Sequence, residues 1–264
     1  MNTFRKKVIW ITGASSGIGK ELAVQLAQKG AHLILSARSV EKLEQLKKEL
    51  PNRESHSVIP LDLMKNDTFD ELTTRVIERY KHIDYLFNSG GVSQRAEASE
   101  TDIEVDRRIM EINYFGNIAL TKAVLPYMQE QQRGHIVVTS SVAGKFGFYL
   151  RSAYSASKHA LHGYYESLLL EEDKNNIAVT LVCPGKINTP ISESALKADG
   201  TAHGEMDHNQ SAGMPVDECV QQLLKAVKQQ KKEVLIGKKE IKAVTLKRFF
   251  PRLFWKVIRN QKAT

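Results

Sequence analysis

The amino-acid sequence predicts a single doubly wound α/β domain, a parallel sheet of about seven strands with helices on both faces. Three observations lead there. Short, apolar, β-rich runs alternate with longer helical patterns along most of the chain, an order that closes right-handed β–α–β crossovers. A glycine-rich turn, Gly13 to Gly19, separates the first such run from the first helical stretch. The 264 residues, 42% of them hydrophobic, supply one large core, and no internal repeat or linker divides them.

In order, Lys7 to Thr12 (KVIWIT) reads as the first strand. It breaks into GASSGIG, and a helical pattern follows over Lys20 to Lys29, ended by Gly30 as a C′ residue would. His32 to Ser36 is the second strand, and the charged stretch Val40 to Leu50 is a helix stopped by Pro51. Ser57 to Leu61 and Asp67 to Tyr80 read as the third strand and third helix. Ile83 to Asn88, His135 to Ser140, Ala178 to Cys183 and Val234 to Gly237 supply four more strands. Helical patterns at about Val105 to Gln131, Ala153 to Asp173 and Val216 to Gln229 fill the gaps. The domain is expected to span residues 1–237, with 238–264 as a tail of different character.

Charge marks that division. The tail from Lys238 holds nine of the 38 basic residues and one of the 30 acidic ones. The body therefore carries 29 of each and is neutral, which speaks against a nucleic-acid surface on it. Cys183 and Cys219 lie far apart, so neither a disulfide framework nor a zinc knuckle is predicted, and a reducing, cytoplasmic compartment is expected. No apolar run reaches the ~18 residues of a bilayer span. The N-terminus reads as a strand rather than a targeting segment.

The glycine turn carries the first chemistry. Gly13, Gly17 and Gly19 let the backbone approach a diphosphate, which then sits at the N-terminus of the following helix. An NAD site carries an acidic residue about 20 positions on, to hold the ribose 2′-hydroxyl. Here Ala37 stands near that place and Arg38 follows it. A guanidinium there pairs with a 2′-phosphate, so NADP(H) is expected over NAD(H).

The second chemistry lies in YSASK. Tyr154 and Lys158 are four apart and share one face of a helix. A cation beside a phenol favours the phenolate and moves the tyrosine towards acid–base work. Ser140 and Ser141 both precede this pair, and strand alternation favours Ser141 as the hydroxyl that faces it. His159 and His162 invite a metal reading, but no third ligand has suitable spacing, so no metal is expected.

Together these residues resemble the short-chain dehydrogenase/reductase family over about residues 6–237. TGASSGIG, Thr12 to Gly19, looks like its cofactor turn, which implies contacts from Ser15, Ser16 and Ile18 beside the glycines. Asp62, in LDL, matches the family's adenine-contacting residue, with Leu63 beside it. Asn88 matches a cofactor-contacting asparagine, and Asn113 in INYFGN the catalytic one. Ser141 precedes Tyr154 by the family's usual 13 residues. PGKINT resembles the nicotinamide loop, implying contacts from Pro184, Gly185, Ile187 and Thr189. SQR after the fourth strand, NYFGNIALTKAVLP and RSAYSASKHA look most like the membrane-associated branch that acts on steroid- or retinoid-like compounds. One departure is that the family's N-N-A-G reads Asn88-Ser89-Gly90-Gly91, a turn loosened by up to ~1 kcal/mol.

The resemblance implies hydride transfer between NADP(H) and a carbonyl or secondary alcohol. Tyr154 would be the general acid or base, Ser141 would hold the substrate oxygen, and Lys158 would bind the nicotinamide ribose. Asn113 would anchor a water in a proton relay. A non-catalytic NADP(H)-binding scaffold or redox sensor is the alternative. Val92 to Arg95, Ala143 to Leu150 and a lid at about 190–214 are the expected substrate contacts. Phe146, Phe148 and Tyr149 fit an apolar substrate or ordinary core packing. The family pairs through its two long helices, implying a homodimer or homotetramer. In the tail, Phe250, Leu253, Phe254 and Val257 cluster on one side of a helical wheel, with Arg252, Lys256 and Arg259 opposite. Such a helix suits peripheral contact with an anionic membrane, or docking onto the protein's own body.

Overall fold

A computed structural model of the chain describes residues 3–261. Met1, Asn2 and the last three residues of the predicted tail lie outside the described residues.

Seven parallel strands form one sheet in the order β3-β2-β1-β4-β5-β6-β7. They are β1 (Val8–Thr12), β2 (His32–Ser36), β3 (Ser57–Val58), β4 (Tyr85–Asn88), β5 (Gly134–Thr139), β6 (Ile177–Pro184) and β7 (Glu233–Ile236). The helices between them are α1 (Gly17–Gln28), α2 (Val40–Glu49), α3 (Phe69–Tyr80), α4 (Ile103–Met110), α5 (Gly116–Glu130) and α6 (Ser152–Glu171). A short α7 (His208–Ser211) and α8 (Val216–Lys228) precede β7, and α9 (Lys242–Phe249) and α10 (Pro251–Ile258) follow it.

Side chains alternate across the sheet and divide the core in two. Val8 and Trp10 of β1 face a layer with Leu86, Ile136 and Val138, covered by α3 to α6. Ile9 and Ile11 face the other way, with Leu33, Leu35 and Val137, under α1, α2 and α8. The chain runs outward from β1 through β2 to β3, then returns to β4 on the other side of β1. This reversal opens a crevice beyond the carboxyl ends of the strands.

Two elements differ from the sequence expectation. The third strand is only Ser57–Val58, although Ile59 and Leu61 still donate to Leu35 and Ala37 at 3.0 and 3.1 Å, and Pro60 between them sits on the sheet edge, where its missing N–H would point away from β2. The single helix expected over 105–131 is broken at Glu111–Phe115 into a π turn between α4 and α5. Such turns insert one extra residue and re-aim side chains, often at functional positions. Gly116, just after it, leaves room for no side chain, since a Cβ there would meet the Leu63 carbonyl oxygen at 2.1 Å.

The tail folds back on the body. Phe254 and Ile258 of α10 bury themselves against Phe146, beside Ala243 and Leu246 of α9. The wheel reading is corrected here: Phe250, Leu253 and Val257 stay exposed, and the body takes Phe254 with Ile258 instead. The apolar residues of α10 spread over more than one face, and the body covers only part of them.

Candidate active site

The crevice holds a cavity of about 1410 Å³, larger than the ~300–1,000 Å³ of a single small-ligand pocket. Of the residues expected at the cofactor, all but Asn88 line it, as do Ser141, Tyr154 and Lys158.

The β1–α1 turn fits a diphosphate. Gly13 and Gly17 have φ of 69° and 52°, the region open to glycine. A Cβ on Gly19 would meet the Gly13 carbonyl oxygen at 2.3 Å, so the turn closes this tightly only without one. No side chain caps α1 and no acidic residue stands in its first turn. Its N-terminal dipole is left for an anion. Arg38 lines the cavity beyond β2, and Lys42 stands beside it. This donor set suits a 2′-phosphate, with no carboxylate from Ala37 to Val40 to repel one.

The departure after β4 acquires a structural account. Asn88 is fully buried and turns away from the cavity, its amide donating to Thr121 Oγ1 at 2.9 Å and Tyr165 OH at 3.3 Å. The expected cofactor contact of its side chain is therefore replaced by a brace to α5 and α6. Ser89 faces the cavity and hydrogen-bonds Thr139 at 3.0 Å, holding the tips of β4 and β5 together. Thr12 Oγ1 accepts from the backbone N–H groups of Ser89 and Gly90, both at 3.1 Å. These bonds fasten the turn that the extra glycine loosens.

The catalytic candidates converge from β5, the π turn and α6. The Lys158 ammonium lies 5.7 Å from the Tyr154 ring centre and donates to the Thr139 carbonyl at 2.8 Å. Ser141, just beyond β5, accepts from the Ala143 N–H at 3.1 Å and donates to the Pro184 carbonyl at 3.4 Å, with its hydroxyl near enough to Tyr154 to lower the phenol's pKa. Ser140 is committed elsewhere, bonding the Lys158 carbonyl at 3.1 Å and His162 Nε2 at 3.0 Å. Asn113 is fully buried behind the cavity wall. Its side chain bonds both the N–H and the carbonyl of Val92, at 2.8 and 2.9 Å, and donates to Ser157 at 3.0 Å. It ties the β4 loop to α6 within reach of the catalytic pair, and the π turn is what aims it inward.

The electrostatics correct one expectation. Burial pushes the Tyr154 phenol above its ordinary value, and the Ser141 hydroxyl and the Arg151 and Arg95 cations pull against it. Lys158 is not the leading cation in the chain alone. Burial pulls its own ammonium down to about 8, so it too pays for desolvation.

Sequence reasoning placed Gln94, Arg95 and Asp207 in expected substrate segments without showing their roles, and it missed Arg151. Gln94 Oε1 accepts from the backbone N–H groups of Ala153 and Tyr154, at 2.9 and 3.3 Å. It caps the catalytic helix from outside, a role no local pattern reveals. Arg95 donates through Nε at 2.8 Å, and through Nη2, to Asp207 Oδ2, while Arg151 reaches the same oxygen at 3.2 Å. This cluster and the Leu196 backbone bonds to Ser93 and Arg95 pin the 190–214 segment over the cavity. Phe146 and Phe148 line the cavity, whereas Tyr149 is exposed and donates to the Arg259 carbonyl at 3.3 Å.

The fold brings Cys183 and Glu233 beside His162, the third ligand that spacing did not offer. The Lys145 ammonium, however, sits among them, 3.1 Å from His162 Nδ1 and paired with Glu233. Burial also pushes the Cys183 thiol up to about 12.

Known proteins resemble the chain in sequence and in fold. The mouse protein named dehydrogenase/reductase SDR family member 7B is 39% identical over 263 residues, covering 97% of this chain and 81% of its own length. A short-chain dehydrogenase from Streptomyces avermitilis superposes with a TM-score of 0.82 at 29% identity, covering 97% and 98% of the two chains. ElxO, solved as a Tyr-to-Phe variant with NADPH bound, superposes with a TM-score of 0.67 at 27% identity, over 70% and 75%. Residues 7–200 match the short chain dehydrogenase family, and with that span the chain belongs to it.

Proposed function

We propose that the protein is an NADP(H)-dependent oxidoreductase of carbonyl compounds and secondary alcohols with a largely apolar frame. The observation that carries this reading is the convergence of Ser141, Tyr154 and Lys158 on one wall of the cavity that the glycine turn opens into. NADP(H), when bound, would supply or take the hydride at its nicotinamide C4.

The chain's own groups handle the oxygen and its proton. The Ser141 hydroxyl holds the substrate oxygen, and Tyr154 gives it a proton in reduction or takes one in oxidation. Lys158, 5.7 Å from the phenol ring centre, would hold the nicotinamide ribose, and the Pro184 to Thr189 loop would carry the nicotinamide. Arg95 and Arg151 steady a developing phenolate from the substrate side, since both draw the Tyr154 pKa down. The NADPH-bound ElxO neighbour and the Arg38–Lys42 pair support the choice of cofactor. Phe146 and Phe148 support an apolar substrate.

We place the enzyme in a reducing cytoplasm, where its two buried free cysteines are at home. A homo-oligomer built on α5 and α6 fits the exposed Phe115 and Leu170 on that side. NADPH consumption with a panel of ketones, against NADH as control, tests the reading. Tyr154→Phe should lower kcat by ~10²–10⁴ with NADPH affinity kept, and wild-type turnover in that variant would reject the assignment. A cofactor-binding scaffold would show NADPH binding and no ketone-dependent consumption.

A further inference from the structure

The tail begins with a side chain that reaches back into the cofactor crevice. After β7 the chain makes one 3₁₀ turn, Lys239–Ile241, before α9. Glu240, in the middle of that turn, is the only acidic residue of the tail and is half-buried. Its Oε1 accepts from the Lys186 backbone N–H at 2.9 Å and from the Lys238 N–H at 3.1 Å. A local cap would need only the second of these bonds. The first spans 54 positions and ends on the loop from Pro184 to Thr189.

Two glycines leave their space to this carboxylate. A Cβ on Gly185 would meet Oε1 at 2.3 Å, and one on Gly237 would meet it at 2.5 Å. Glu240, Gly185 and Lys186 all line the large cavity. The 190–214 segment holds the same loop from another side. There the Met214 N–H donates to the Lys186 carbonyl at 2.8 Å, and the Asn188 N–H to the Met214 carbonyl at 2.9 Å. The Lys238 ammonium joins the two supports by donating to the Gly213 carbonyl at 2.9 Å. Lys186 is thus held by its N–H from the tail and by its carbonyl from the segment over the cavity.

We propose that Glu240 is a positioning residue for the nicotinamide: its carboxylate braces the Pro184 to Thr189 loop in the shape that receives the ring. This rests on the reading above of that loop as the nicotinamide carrier. A backbone N–H bonded to a carboxylate is held more firmly than one bonded to a neutral acceptor. A loop fixed in this way presents Gly185, Ile187 and Thr189 without the ordering cost that a loose loop meets on binding. Glu240 lies outside residues 7–200, the span that matches the family. The start of the tail is therefore a working part of the cofactor site, supplied from beyond the shared domain.

Titration of the full chain with two ligands tests this. One is NADPH; the other is adenosine 2′,5′-bisphosphate, which has the adenine and 2′-phosphate end and no nicotinamide. Glu240→Ala should weaken NADPH binding ~10-fold and leave the bisphosphate within ~2-fold of wild type. Glu240→Met fills similar space without an acceptor and should behave alike, so the test stands even where the smaller side chain unsettles the turn. Glu240→Gln keeps an acceptor oxygen and should bind NADPH within ~3-fold of wild type. NADPH binding at wild-type strength in both acceptor-free variants overturns the proposal. So does an equal loss for the two ligands, the mark of a general structural role, or a Gln variant as weak as the Ala one. A wild-type chain that binds the bisphosphate but not NADPH, or neither, rejects the NADP(H) reading itself, and the proposal falls with it.

Discussion

Replacing Lys158 with methionine tests the electrostatics of the site without any substrate. Lys158 is 5% exposed, and burial lowers its pKa from 10.5 to about 8. The folded chain gives up this proton more readily than the unfolded one. Between about pH 8 and 10.5 the unfolded state therefore holds more protons, and wild-type stability rises with pH across that window. At ~1.4 kcal/mol per pH unit, the gap amounts to about 3 kcal/mol, present in full as a penalty below about pH 8. The methionine variant has no such titration. It loses the 2.8 Å bond to the Thr139 carbonyl, at a cost of ~1–3 kcal/mol that does not change with pH. At pH 7 the two effects oppose, and the variant should lie within ~2 kcal/mol of wild type despite losing a buried hydrogen bond. The difference in stability, wild type minus variant, should climb by about 3 kcal/mol from pH 7 to pH 10.5. Urea unfolding of both proteins without cofactor, followed by circular dichroism across this range, measures that difference. A flat or falling difference would refute the claim that the catalytic cation is held at the expense of stability.

Three further outcomes follow from the same geometry. Arg38→Asp removes a guanidinium and adds a carboxylate at the proposed 2′-phosphate position, so NADPH affinity should fall ~10- to 100-fold relative to NADH; titration with each cofactor reads it, and an unchanged ratio dismisses Arg38 as the selector. Asp207→Asn leaves the buried Arg95 guanidinium without its carboxylate, which should cost ~3–5 kcal/mol and raise amide exchange over 190–214 before the rest of the sheet; uniform protection there would show that the ion cluster does not pin that segment. Gly19→Ala would drive a Cβ to 2.3 Å from the Gly13 carbonyl oxygen, so the turn must open and cofactor affinity should drop by at least ~10-fold with the sheet intact; binding at the wild-type level would mean that the turn is not the diphosphate cradle.

The sequence by itself determined the layout, because that layout is written in local periodicity. Apolar runs of strand length, helical stretches between them and a glycine turn after the first run specify a parallel doubly wound sheet, and the strands at β1, β2 and β4 to β7 fall within a few residues of the expected ranges. Tyr154 and Lys158 were legible because helical spacing alone puts them on one face, and Gly13 to Gly19 because few other residues tolerate that turn. Other features depend on partners distant in sequence, and only the tertiary structure decided them. Asn88 turns to Thr121 and Tyr165, 33 and 77 positions away, so its type could not show which way it faces. Gln94 caps a helix that begins 58 residues later, and Arg95 meets Asp207 across 112. The electrostatic order of the site was out of reach for the same reason. Spacing gives the nearness of a cation to a phenol, but the burial that outweighs that nearness arises only when the sheet, α6 and the pinned segment close around both groups.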